Sequence, residues 1–314
     1  MKRLLLPCTA SLALTYAAIA SDQETLTGEA YFKSFGADPA TTDILSVELS
    51  PGLFGLRGVG GNILASIGPQ GTLLVDDQFE ASVPKIRAVV KELGGDSIDF
   101  VVNTHWHFDH ADGNLPLAES GSWIVAHEST REMMKSPQSI NLVDVRVTQD
   151  AYPEGALPVI TFTDRLRFHF NGHTVDLLHF GPAHTSSDVA VLFREANVVH
   201  MGDIYNGAYP LIDVDSGGSL AGIIEFCEKV LAEMDPEGVV VPGHGRPTDR
   251  QAFEDYVAML RTIHDRIETL VRAGATLDAV MNAGIAGEWE EVRGNPTRLL
   301  NRAYHAMKRE IAPQ

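Results

Sequence analysis

Residues 98–110 read IDFVVNTHWHFDH. The first part, Ile98 to Asn103, is rich in apolar and β-branched residues, which predicts a buried strand. The strand ends directly before a run of six residues that contains four possible metal ligands. Their side chains are imidazole and carboxylate groups, which zinc accepts as ligands. In a loop bending away from the strand, the first two can point to one metal and the last two to a neighbouring one. These residues are His105, His107, Asp109 and His110.

The alternative for this run is a set of exposed polar residues in a surface turn. Four potential ligands within six positions, flanked by the apolar Trp106 and Phe108, disfavour that alternative. We therefore expect a divalent-metal site after the strand.

Three more candidate ligands follow later β-type runs. His184 comes after the run that ends at Phe180, Asp203 after Val198 to Gly202, and His244 after Val239 to Val241. Each emerges from an apolar run onto a glycine-containing turn, where a rigid scaffold displays functional side chains. Taken singly, a histidine near a strand end is as often a hydrogen-bonded structural residue. Taken together, the three converge on the same hypothesis of a metal site.

The order of elements around these residues predicts the fold class. Four short β-type runs between residues 44 and 75 are followed by a helix over Ala81–Leu93 and then by the strand before His105. A second series of β-type runs, between residues 164 and 202, leads through a helix over Ser219–Met234 to a strand at Gly238–Val241. Two similar halves of this kind indicate an α+β protein with two facing sheets and helices outside, a four-layer αββα sandwich. A long amphipathic helix is predicted over Asp249–Ala273, with a helical tail.

These motifs resemble those of the metallo-β-lactamase superfamily. The resemblance runs from about Gly60 to Thr248 and rests on H-x-H-x-D-H, Gly-x-x-His-Thr around His184, Gly-Asp at residue 203 and Gly-His-Gly at residue 244. It implies that one zinc is bound by His105, His107 and His184. A second zinc is bound by Asp109, His110 and His244, and Asp203 bridges the two. Asp76, after an early strand, is implied to support the ligand loop, although the neighbouring Asp77 is an alternative.

The implied chemistry is hydrolysis. Two zinc ions about 3.5–4 Å apart hold a bridging hydroxide at neutral pH, which attacks a carbonyl carbon while Asp109 orients it or relays its proton. The expected substrate is a cyclic amide, ester or thioester, as in a β-lactamase. Asp203 stands where many such lactamases have cysteine, and Ile204 to Gly207 lack the lysine expected to hold a substrate carboxylate. A thioesterase of the glyoxalase II type or a lactonase is therefore an alternative hydrolase. An iron-dependent oxidoreductase on the same fold is a non-hydrolase alternative.

The composition of the chain limits the kinds of partner that we expect it to bind. The 314 residues include 24 basic and 42 acidic ones, a net charge of −18. An acidic surface repels phosphate backbones, so we expect a small-molecule substrate and no nucleic-acid partner. Seven further histidines lack a place in the pattern and are expected to be structural: residues 127, 169, 173, 179, 200, 264 and 305. Cys227 lies in an apolar helical pattern and is expected to be a small buried hydrophobe.

The first twenty residues predict export. A basic start at Lys2 and Arg3, an apolar stretch and Ala18-Ile19-Ala20 are typical of a secretory signal peptide, which places the protein in the periplasm or outside the cell. We divide the chain into this signal peptide at 1–20, a polar segment at 21–42 and a hydrolase domain with C-terminal helices at 43–314. No membrane association is expected after cleavage, and the sequence does not indicate an oligomeric state.

Overall fold

The computed structural model describes residues 23–311. The predicted signal peptide lies outside the described residues. Within them, the chain forms two large β-sheets, a small third sheet and ten α-helices, numbered below in chain order.

The first large sheet has seven strands in the order β10-β7-β6-β5-β4-β3-β2. Its first four strands in sequence form an antiparallel meander, and the strand that leads to His105 then pairs in parallel with the last strand of the meander. The strands are β2 (Leu45–Ser50), β3 (Leu53–Arg57), β4 (Ile63–Gly68), β5 (Gly71–Val75), β6 (Phe100–Val102), β7 (Trp123–His127) and β10 (Ile160–Phe162).

The second large sheet repeats this plan with six strands in the order β11-β12-β13-β14-β15-β16. An antiparallel meander of four strands is again followed by a strand in parallel pairing. The predicted similarity of the two halves is therefore confirmed. The strands are β11 (Arg165–Phe170), β12 (His173–Leu178), β13 (Ala190–Phe193), β14 (Val198–His200), β15 (Val239–Val241) and β16 (Thr248–Asp249).

The two sheets pack face to face because alternate side chains of each strand point to opposite faces. In β5, Leu73 and Val75 join a core that also contains Val191 and Phe193 of β13. The intervening Leu74 points to the outer side of the first sheet. β5 thus buries both of its faces, one against the facing sheet and one against helices.

Helices cover both outer faces, which confirms the predicted αββα sandwich. On the first sheet lie α2 (Val83–Glu92) and α4 (Asn114–Glu119), and on the second lie α6 (Leu220–Glu233), α7 (Arg250–Arg272) and α10 (Thr297–Ile311). The helix expected at Ala81–Leu93 begins as a 3₁₀ turn, Glu80–Ser82, and continues as α2. The shorter helices are α3 (Phe108–Ala111), α5 (Glu128–Met134), α8 (Leu277–Met281) and α9 (Glu290–Arg293).

The sequence did not predict a small sheet beside the ligand loop. It consists of β1 (Glu24–Thr27) paired in parallel with β9 (Val145–Gln149), which pairs in turn with β8 (Gln138–Asn141). Helix α1 (Gly28–Lys33) follows β1, so the polar segment at 21–42 contains regular structure over its described residues. Ile140, Val145 and Val147 of this sheet pack against Trp106 and Phe108 of the ligand loop.

Within residues 23–311, no helix combines the length and the apolar composition needed to cross a bilayer.

Candidate metal centre

The seven predicted ligands lie together at one edge of the sandwich. Six of them follow the carboxyl ends of β6, β14 and β15, and His184 lies in the loop between β12 and β13. Parallel pairing of β14 with β15 brings the Asp203 and His244 turns side by side. Glycine is required at two positions where the backbone passes close to a ligand side chain. A Cβ at Gly61 would collide with the His110 ring, and a Cβ at Gly243 would collide with the Asp203 carboxylate. The fold therefore gathers residues that are up to 139 positions apart (244 − 105).

Asp76 anchors the ligand loop. It follows β5 in a left-handed conformation, with φ 64°. Its Oδ1 accepts a hydrogen bond from the Thr104 backbone N–H at 2.7 Å, and its Oδ2 accepts from the Thr104 hydroxyl at 2.9 Å and from His110 Nδ1 at 2.7 Å. Asp77 instead accepts from the Gly113 backbone N–H, away from the ligands. The supporting position predicted for Asp76 matches this geometry.

The first group of ligands consists of His105, His107 and His184, whose nearest nitrogen atoms lie within 4.8 Å of one another. All three rings are buried. His184 Nε2 lies 3.0 Å from His107 Nδ1. Three imidazoles thus direct nitrogen atoms to one point, where their lone pairs would repel one another without a cation between them.

The opposite nitrogen of each ring is held by a fixed partner. Thr104 Oγ1 lies 3.0 Å from His105 Nδ1, and the Leu211 carbonyl accepts from His184 Nδ1 at 2.8 Å. Asp213 Oδ2 accepts from His107 Nε2 at 3.2 Å. Such partners fix the tautomer, so that each inward nitrogen keeps its lone pair for a metal.

The second group consists of Asp109, His110 and His244, again within 4.8 Å of one another. Asp109 Oδ2 lies 3.2 Å from His244 Nε2. Asp203 lies between the two groups. Its Oδ1 is 3.2 Å from His110 Nε2 and 3.4 Å from His244 Nε2, and its Oδ2 is 4.0 Å from His184 Nε2. This carboxylate is in place to contact ions in both groups.

The surroundings shift the pKa of His105 in the first group and of His244 in the second group in opposite directions. Burial and the neighbouring imidazoles hold the pKa of His105 well below its ordinary value. Burial alone would also lower the pKa of His110 and His244, but the carboxylates of Asp203 and Asp109 outweigh it and raise the pKa of His244 to about 10. The pKa of Asp203 is held well below its ordinary value, because His244 and His110 outweigh the effect of its burial. The second group therefore favours positive charge strongly.

The donor set fits a pair of divalent ions. His105 Nε2 is buried and makes no hydrogen bond within the described part of the chain. A buried nitrogen without a partner requires an explanation, and a metal ion in the first group supplies one. Imidazole nitrogen and carboxylate oxygen in tight groups of three are typical of zinc ligation.

A groove of about 700 Å³ opens onto this centre. His107, Asp109, Asp203 and His244 line it, so both groups of ligands are accessible from the groove. Tyr209 lines it too, but its hydroxyl donates to the Ala286 carbonyl.

Tyr205, which also follows Asp203 closely in the chain, does not line the groove. It is 1% exposed and packs against Phe253 and Tyr256. Its hydroxyl contacts Thr248.

The other histidines lie apart from the centre. His200 is buried and makes hydrogen bonds to the Asn62 carbonyl and the Gly202 backbone N–H, and His127 stacks on His179 at 3.9 Å. His264 belongs to a partly exposed group with Asp265 and Glu268. Cys227 is buried, as expected.

Sequence reasoning missed the loop that holds two of the ligands. Leu211 and Asp213 position His184 and His107 as described, and the Asp213 backbone N–H also donates to the His184 carbonyl. Arg302 of α10 is buried and donates to the Ile212 carbonyl and to Asp215. The C-terminal helix therefore supports the first group of ligands. An aspartate in the loop Ile212-Asp213-Val214-Asp215 carries no pattern that could have revealed this contact.

The sandwich and the histidine–aspartate cluster at its edge define a class of αββα proteins built to bind metal. Residues 60–244 match the metallo-beta-lactamase superfamily, and the chain belongs to this superfamily.

Two relatives illustrate its breadth. The chain is 25% identical over 221 residues to the 2,4-dinitroanisole O-demethylase subunit alpha of Nocardioides sp. strain JS1661, which covers 68% of this chain and 62% of that protein. It is 20% identical over 200 residues to a probable metallo-hydrolase of Methanocaldococcus jannaschii, covering 62% of this chain and 93% of that protein. The chain thus spans less than two thirds of the first relative and most of the second.

Solved structures share the fold. The DIM-1 metallo-beta-lactamase matches with a TM-score of 0.56 at 16% identity, over 70% of this chain and 98% of that one. A metallo-beta-lactamase from Pontibacter korlensis matches with a TM-score of 0.57 at 17% identity, over 70% and 99%. A double mutant of the sec-alkyl sulfatase PisA1 matches with a TM-score of 0.66 at 15% identity, over 87% of this chain and 51% of that one.

Proposed function

We propose that the protein is an exported hydrolase that uses two zinc ions to cleave a cyclic amide, ester or thioester. The observation that carries the proposal is the pair of ligand groups that share Asp203 at the floor of an open groove. Export to the periplasm or beyond is proposed from residues 1–20 alone. It is tested by the mature N-terminus, which should begin at Ser21.

Two zinc ions in these groups would supply a nucleophile at neutral pH, by lowering the pKa of bound water to about 7, and would polarise a substrate carbonyl. Zinc would be held by His105, His107 and His184 in one group and by Asp109, His110 and His244 in the other. Asp203 would serve both.

The chain's own residues would position the reactants and move the proton. Asp109 lines the groove and is only 7% exposed, so its carboxylate can accept a proton from the attacking water and return it to the leaving group. Asp76 and Asp213 accept hydrogen bonds from the outer ring nitrogens of His110 and His107, which orients both rings and directs their other nitrogens towards the ligand groups. No serine or cysteine nucleophile is needed. Cys227 is buried in the apolar core, where burial raises the pKa of its thiol and disfavours the thiolate.

Asp203 also favours a second candidate within the same chemistry. A carboxylate is a harder ligand than the thiolate that the resemblance leads one to expect here, which favours a thioesterase or lactonase over a strong lactamase. A chromogenic cephalosporin, a glutathione thioester and an acyl lactone, compared by kcat/KM on one preparation, separate these candidates.

Metal analysis of the purified protein tests the proposal itself. We expect two zinc ions per chain, and loss of metal from the first group together with activity in His105→Ala. His169→Ala is the matched control, because His169 is exposed on β11 and lies outside both groups. Stoichiometric iron with little zinc would instead favour the oxidoreductase alternative. Full turnover by metal-free protein would refute both.

A further inference from the structure

The groove is bounded by two segments that lie outside residues 60–244. One is α1 with the residues that follow it, which contribute Tyr31, Phe32 and Phe35. The other runs from α9 into α10 and contributes Arg293 and Arg298. The superfamily match therefore covers the ligands but not this part of the groove.

The first segment gives the groove an aromatic wall. The Phe35 ring lies 4.9 Å from that of Tyr31 and 5.6 Å from that of Phe32, in edge-to-face contacts. Phe35 is nevertheless 58% exposed. An exposed aromatic ring at the rim of a groove gains hydrophobic free energy when an apolar ligand covers it. The wall therefore suits a substrate with an apolar body.

The two arginines of the second segment differ in whether their charge is balanced. Arg298 forms a bidentate pair with Asp144 at 2.9 Å for both contacts and donates to the Tyr31 hydroxyl. Arg293 has no carboxylate within ion-pairing distance among residues 23–311. It donates to the Gly207 carbonyl at 3.0 Å and lies 5.4 Å from the ring centroid of Tyr256.

Arg293 is held close to the ligands. The Gly207 residue that accepts its hydrogen bond donates its own backbone N–H to the His244 carbonyl at 2.7 Å. A partly buried guanidinium, fixed on one side and unpaired on the other, is suited to bidentate contact with a carboxylate or sulfonate. In a chain with a net charge of −18, an unpaired guanidinium at the groove makes this part of its wall favourable for an anionic group.

We propose that the groove selects a substrate with an apolar body and one anionic group, and that Arg293 binds the anionic group while Tyr31, Phe32 and Phe35 cover the apolar body. The proposal rests on the proposed function only for the bond that is cleaved. Arg293 is thus a specificity-determining residue that lies 86 positions from the Gly207 it contacts.

Two fluorescent probes that differ by one anionic group test this selection without any turnover. They are 8-anilinonaphthalene-1-sulfonate and its uncharged analogue N-phenyl-1-naphthylamine, titrated into the zinc-loaded full chain. A charged hydrogen bond is worth about tenfold or more in affinity, so we expect Arg293→Gln to weaken the sulfonate about tenfold and the neutral probe less than about twofold. Arg293→Lys keeps the charge but loses the bidentate geometry, so its sulfonate affinity should lie between those of the unchanged protein and Arg293→Gln. Phe35→Ser should weaken both probes.

Arg87→Gln is the matched control. Arg87 likewise donates to a backbone carbonyl, that of Pro116 at 2.9 Å, and does not line the groove. It should bind both probes as the unchanged protein does. Unaltered sulfonate affinity in Arg293→Gln, or an equal loss for both probes, would overturn the proposal. Because neither probe is hydrolysed, failure of the substrate panel would refute the proposed reaction and leave this binding result standing.

Discussion

The two groups of ligands share Asp203 but are built differently. The first is made only of imidazoles, all buried, and each ring is held from behind by a partner. The second mixes a carboxylate with two imidazoles, and the His244 side chain is 28% exposed to the groove. The first group is thus pre-oriented and meets the groove only through His107, which is 3% exposed, whereas the second is charged and more exposed. We call them the closed and the open group. If both bind metal as proposed, the closed group is suited to retain its ion and the open group to admit substrate.

Removing a ligand of the open group should have the largest effect on activity. In His244→Ala, we expect about one zinc per chain to remain, in the first group, and kcat to fall on the order of a thousandfold, because a metal ion supplies several kcal/mol of transition-state stabilisation. Metal content and single-substrate kinetics check this. Loss of both ions in His244→Ala would show that the groups do not fill independently.

Removing a supporting residue of the closed group should have an intermediate effect. Asp213→Asn keeps the size of the side chain but weakens the contact that orients His107, so metal affinity of the first group should fall about 10- to 100-fold. Competition with a chelator measures this directly, and the second group should be unaffected. An equal loss from both groups would contradict the separate support described above.

The smallest effect on catalysis is expected at a buried carboxylate outside both groups. Asp176 of β12 accepts from Arg167 and Arg194, and although burial opposes it, these contacts lower its pKa below the ordinary 3.8. Because the pKa of Asp176 is lower in the folded state, this stabilisation is fully present above the unfolded-state pKa. It is lost as pH falls through the folded-state pKa.

We therefore expect Asp176→Asn to lower the free energy of unfolding by about 1–2 kcal/mol at pH 7 and to leave metal content unchanged. The difference from the unchanged protein should shrink below about pH 4. Urea denaturation at several pH values checks this, and a difference that does not shrink as pH falls would contradict the assignment to charge.

The ligand loop could be predicted because its signal is local. His105, His107, Asp109 and His110 stand within six residues at the end of an apolar strand, and the meander before them has clear turn residues. The boundaries of α6 agree with the predicted helix Ser219–Met234 within one residue at each end.

The wall of the groove could not be predicted, because its signal is distributed. Parallel pairing of β1 with β9 joins Leu26 to Val147, and nothing within either segment specifies the other. Tyr31 and Phe32 stand in a polar segment, where aromatic residues alone do not predict a helix. The lysine that the resemblance led one to expect after Asp203 is absent, and the cation near Gly207 comes instead from Arg293, in a later helix.

The contacts of Arg298 bear on the order in which the protein matures. Its guanidinium bonds to Tyr31, 267 positions earlier, and to Asp144, 154 positions earlier. A growing chain has all seven ligands once residue 244 has been made, but this side of the wall cannot close until residue 298 is available. Arg302, four residues further along, holds the loop that positions His107 and His184 through its contacts with the Ile212 carbonyl and Asp215. The same C-terminal helix therefore closes the wall of the groove and completes the support of the first group of ligands.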